Sequence, residues 1–173
     1  IEKVKSINIK TNKSIKVLMV NPLVGIHAAL GELGIFTFLW ILVELMNPTN
    51  TRIKRAKIAA ILGVIFIFSS WLAGGYYYLN YYGDNVKPLI KEGPNPWAHL
   101  IFTETKEHIF LFIPFLSILV LGLIYKNNLL KNNSARKSII IISALIILLG
   151  FAMAAMGYII STGARTALEA KVI

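Results

Sequence analysis

Four long apolar blocks dominate this chain and leave few folds open to it. They centre on residues 23–46, 58–79, 97–125 and 138–160, and the third becomes continuously apolar only from residue 109. A helix needs roughly 20 mainly apolar residues to cross the hydrocarbon core of a bilayer. A lone strand in lipid cannot satisfy its own backbone polar groups, so the blocks predict helices. The expected architecture is all-α: an integral membrane four-helix transmembrane bundle. Composition agrees, with 56% hydrophobic and 15% charged residues and a mean hydropathy of +0.67, whereas soluble domains average about a quarter charged.

Several classes are excluded at once. The chain has no cysteine, so it offers no disulfide, no iron–sulfur ligand set and no thiolate zinc site. A phosphate-cradling glycine loop, a hydrolase triad and a nucleic-acid motif are all missing from the sequence. The net charge of +10 therefore points to a lipid bilayer with anionic headgroups rather than to nucleic acid.

Three parts follow: a basic N-terminal tail or interfacial segment (1–20), the transmembrane domain (21–161) and a C-terminal tail (162–173). The tail carries Lys3, Lys5, Lys10, Lys13 and Lys16 among Ile and Val. The first apolar block lies too far in and is too long for a signal peptide. Arg52, Lys54, Arg55 and Lys57 concentrate after the first block, and Lys126, Lys131, Arg136 and Lys137 after the third. Dense basic residues near helix ends set orientation. The expectation is a multi-pass protein of a prokaryotic cytoplasmic membrane with both termini outside. At the other rim Tyr76, Tyr77, Tyr78, Tyr81, Tyr82 and Trp97 match an aromatic belt at headgroup level.

Ionisable residues inside spanning helices are costly and default to functional candidates. His27, Glu32 and His108 qualify, and an up-and-down topology puts all three in one half of the membrane. His27, Gly31 and Gly34 share a face by helical spacing, which predicts a groove beside the imidazole for a flat group. Glu32 lies ~140° round that helix. On the third helix Glu104 and His108 are one turn apart, so the carboxylate is expected to orient the imidazole. His99, nine residues before His108, falls on the opposite side and is expected at the aqueous rim. Glu107 completes the acidic cluster.

Two histidines on two helices at one depth fit a b-type haem, with His27 and His108 as axial ligands and Gly31 and Gly34 making room. The alternative is a non-haem copper, iron or zinc site that draws on Glu32, Glu104, Glu107 or His99. A third reading has no cofactor, with the glycine faces packing against a partner. In the first reading the chain is a membrane subunit transferring electrons inside a larger complex, not an enzyme on its own. The di-iron Glu-x-x-His pair is absent.

Asn21-Pro22-Leu23-Val24-Gly25-Ile26-His27, opening the first of four helices, resembles an uncharacterised family of small prokaryotic membrane proteins. In that family the first helix opens with His-Pro, a few apolar residues and Val-His-Phe-Pro. Here Asn21 replaces the first histidine and Ala28-Ala29 replaces Phe-Pro. Trp97-Ala98-His99 and Glu104-Thr105-Lys106-Glu107-His108 also read like a membrane-family signature. The general layout is similar to four-helix b-type cytochromes.

Overall fold

The structure is a computed structural model that describes residues 21–171. The tail at 1–20 lies outside the described residues. Four helices, each long and apolar enough to cross a membrane, make up nearly all the rest: α1 Pro22–Met46, α2 Asn50–Lys91, α3 Ala98–Lys126 and α4 Asn133–Ala170. The all-α four-helix expectation holds. Side-chain caps fix three of the starts. Asn21 accepts from the Leu23 N–H at 3.0 Å, Thr49 from Arg52 at 3.2 Å and Asn132 from Ala135 at 2.9 Å, and each bond occupies a backbone donor that the first turn leaves free.

Two helices run longer than their apolar blocks. α2 begins at Asn50, so Arg52, Lys54, Arg55 and Lys57 are helical and the connection from α1 is only Asn47-Pro48-Thr49. It also continues beyond the tyrosines to Lys91, and α4 continues to Ala170, which makes most of the expected C-terminal tail helical. Apolarity marks the part of a helix that sits in lipid, and hydrogen bonding and capping continue beyond it. Neither α2 nor α3 is α-helical throughout. Tyr78–Val86 of α2 and Ala98–Thr103 of α3 are wound as π-helix. α3 breaks again at Phe110–Leu111, where Pro114 has no N–H to offer the Phe110 carbonyl.

The helices pack up and down in a ring, α1 against α2 and α4, and α3 against α2 and α4. Glycines let them close. A Cβ on Gly34 would stand 2.6 Å from Ile67, one on Gly63 2.6 Å from Thr37, and one on Gly150 2.5 Å from Ile35. About 28% of each spanning window is buried inside the bundle, which leaves the larger share of apolar surface for lipid. The main core, from Phe38, Ile41 and Leu45 to Val120, Ile124 and Ile139, occupies the end with the basic residues. A smaller cluster of Tyr82, Val86, Ile90 and Ala98 closes the opposite end. Between the two lies a hollow that opens to the outer surface past Leu72, Tyr76 and Leu79.

Candidate functional site: the cavity beside His27

The hollow is a cavity of about 930 Å³ reached by all four helices. His27 of α1, Tyr78 and Tyr82 of α2, Lys106 and Glu107 of α3 and Gly157 of α4 line it. Its walls are mostly apolar with a few polar groups, and its size is at the upper end of small-molecule sites. A second void of about 80 Å³, which shares His27, Trp71 and Phe110 with the first, continues towards Gly31, Ile67 and Pro114.

The His27 ring is fixed on three sides. Its Nδ1 is 2.8 Å from the Ser70 carbonyl oxygen, and because a carbonyl only accepts, Nδ1 carries the proton. The Ser70 hydroxyl donates to the His27 backbone carbonyl at 2.8 Å and sits 3.0 Å from Nδ1. Gly74 faces the ring, where a Cβ would stand 2.6 Å from Nδ1. In a neutral imidazole held this way Nε2 keeps its lone pair. A histidine that donates its other ring nitrogen to a backbone carbonyl has the arrangement typical of metal ligands.

His108 is placed otherwise. It is exposed and does not line the cavity, and its Nδ1–H donates to the Glu104 carbonyl of its own helix at 2.6 Å. It stands on an outward face with Ile101, Phe112 and Phe115. The expected pairing of His27 with His108 across one ligand is therefore not formed, because α1 and α3 sit diagonally in the ring and His108 faces outward. Glu32 is exposed on α1 and likewise away from the cavity. Gly31 and Gly34 do not open a groove either. A Cβ on Gly31 would meet the Ser70 hydroxyl at 3.2 Å, and Ile67 fills the space beside Gly34. The stripe serves α1–α2 contact, as small residues do where backbones approach. Only its Gly31 end borders the smaller void.

His99 differs most from expectation. It is 1% exposed, with Nδ1 3.0 Å from the Tyr82 hydroxyl and Nε2 3.6 Å from the Glu104 carboxylate. Glu104 thus serves His99 with its side chain and His108 with its backbone. Tyr82 stacks on Tyr78 at 5.3 Å and meets Thr103 at 2.9 Å. The tyrosines of the predicted belt divide accordingly: Tyr76 is exposed, while Tyr82 is buried in the bundle.

Sequence reasoning passed over Ser70, Gly74 and Lys106. Lys106 reaches across the cavity, its ammonium 3.2 Å from where a Gly157 Cβ would lie. Glu107 presents a buried carboxylate oxygen without a hydrogen-bond partner. Gly74-Gly75 before a tyrosine run was the available signal for the first two. For Lys106 the signal was its position among Glu104, Glu107 and His108. Among the described residues no group of three or more His, Asp or Glu stands close enough to hold a metal ion.

No protein-family model, curated protein or solved structure matches this chain.

Proposed function

We propose that this protein is a membrane electron-transfer subunit that holds a b-type haem in the cavity, with His27 as iron ligand. The observation that carries this reading is the His27 ring. Ser70 fixes its tautomer, Gly74 its position, and it borders about 930 Å³ of largely apolar space. A haem needs only one or two protein ligands. A non-haem copper, iron or zinc site needs a tighter cluster of ligands, and for that reason haem is preferred. Electron transfer requires a donor and an acceptor, so the subunit belongs to a larger complex. The outward face with His108, Ile101, Phe112 and Phe115 suits a neighbouring subunit, which would spare an imidazole nitrogen from hydrocarbon. By the density of basic residues, the α1–α2 and α3–α4 connections face the cytoplasm of a prokaryotic cell.

The test is a visible spectrum of the purified protein, oxidised and then reduced, with iron content measured on the same sample. A Soret band and a reducible α-band are expected. His27→Ala should lose both, because nothing beside it replaces the ligand. His108→Ala should keep the haem. Loss of haem in the His108 variant with retention in the His27 variant would overturn the assignment. It would mean that the Glu104–Ile109 segment, which lies between a π-helical stretch and the break at Phe110, turns His108 inward. A spectrum without haem bands would move the protein to the class of cofactor-free accessory subunits.

A further inference from the structure

A line of proton-carrying groups runs from the exposed surface at Glu104 to the cavity, at the place where the two π-helical segments meet. The side chain of Glu104 is 47% exposed, and its carboxylate lies 3.6 Å from His99 Nε2. His99 is buried, and its Nδ1 lies 3.0 Å from the Tyr82 hydroxyl. Tyr82 and its hydrogen-bond partner Thr103 both line the cavity. On the cavity side Glu107 presents the buried carboxylate oxygen that has no partner. Packing does not account for this row, since an apolar side chain at position 99 would avoid the cost of burying an imidazole. Carboxylate–histidine rows inside membrane helices mark proton paths.

We propose that Glu104, His99 and Tyr82 relay protons from water to the cavity, so that reduction of the group bound there is accompanied by proton uptake. This rests on the haem reading above. With a haem held there, its electron would come from an external one-electron donor. A proton taken from water by Glu104 passes to His99 Nε2, the Nδ1 proton passes to the Tyr82 oxygen, the Tyr82 hydroxyl proton passes to the Thr103 hydroxyl, and the Thr103 proton is delivered into the cavity. One proton enters, one arrives, and the added negative charge is balanced. Charged groups on both flanking helices face the ring: Lys87 and Lys91 of α2, Glu104 and Glu107 of α3. They are equal in number and opposite in sign. α4 packs against this end with Ile159, Ile160 and Ala164.

The experiment uses the full chain with its haem in lipid nanodiscs, rapid reduction by an outer-sphere metal-complex donor whose one-electron oxidation releases no proton, and a pH-indicator dye in weak buffer. Wild-type protein should take up protons as the haem α-band appears. His99→Gln leaves a hydrogen-bonding group beside Tyr82 but no ring to carry a proton across, and Glu104→Gln alters a partly exposed side chain; neither residue lines the cavity. Each should keep the haem spectrum and slow proton uptake by about 10²-fold, the scale on which a positioned proton donor acts. Uptake at the wild-type rate in both variants, with their spectra intact, would overturn the relay and leave the haem reading standing. Haem reduction in the wild type without any uptake would do the same. A wild type without haem bands would overturn both.

Discussion

His27 and His99 are both histidines inside the bundle, and their partners give them different chemistry. A backbone carbonyl can only accept, so the Ser70 oxygen commits His27 to one tautomer. His99 faces a hydroxyl and a carboxylate, either of which can exchange a proton with it. The position of the His27 ring depends on Gly74 having no side chain. Gly74→Ala would place a methyl group 2.6 Å from Nδ1. The ring must then tilt, and the bond to Ser70 lengthens. The expected outcome is a folded helical protein with weakened or absent haem, checked by circular dichroism and the visible spectrum together.

At the scale of the element, glycines decide how closely two helices approach, and the cost of adding a side chain depends on what it meets. Beside Gly34 and Gly150 a new Cβ meets isoleucine side chains, which have some freedom to turn. Beside Gly163 it meets the Ala98 Cβ at 2.6 Å, and an alanine has no rotamer with which to yield. Gly163→Val should therefore push α4 away from the start of α3, at a cost of about 1–3 kcal/mol for overpacking. A lowered thermal midpoint in detergent would register it. A Gly34→Ala control, which meets the tip of Ile67, should lose less. The π-helical stretches belong to this scale too. A wider turn brings residues four or five apart into line, which stacks Tyr78 on Tyr82 and lets Thr103 and His99 meet the same hydroxyl. π-segments gather at functional sites.

For the whole molecule, the ring of four antiparallel helices sets a polarity. The cavity and the proposed relay occupy one half, and the packed core and most of the basic residues among those described the other. Glu44 anchors that second end, with its carboxylate held by the Arg55 guanidinium at 2.7 and 3.0 Å and by the Trp40 indole at 2.9 Å. Arg52 also approaches the carboxylate, at 3.5 Å, and Lys54 takes no part in this cluster. Because the chain has no cysteine, an introduced thiol reports on one place alone. Thr49→Cys and Asn128→Cys should react with an impermeant maleimide from one side of sealed vesicles, and Glu92→Cys only from the other. Labelling of Thr49→Cys and Glu92→Cys from the same side would contradict the four-span topology.

Sequence alone determined the spans, their number and the half of the bundle that holds His27, Glu32 and His108. These follow from local properties: apolar length against bilayer thickness and the alternation of short connections. It also singled out His27, because a histidine within an apolar helix stands out whatever surrounds it. The use of each candidate was decided only by the tertiary structure. Helical spacing correctly put His99 and His108 on opposite faces of α3, but it held no information on which face turns inward. That depended on Tyr82, 17 residues earlier in the chain, and on α4 closing over Ala98. The Gly31–Gly34 face likewise looked the same as a groove or as a contact until Ser70 and Ile67 arrived from α2. Periodicity assigns residues to faces, and the identity of the neighbour on each face is a long-range property that emerges when the helices pack.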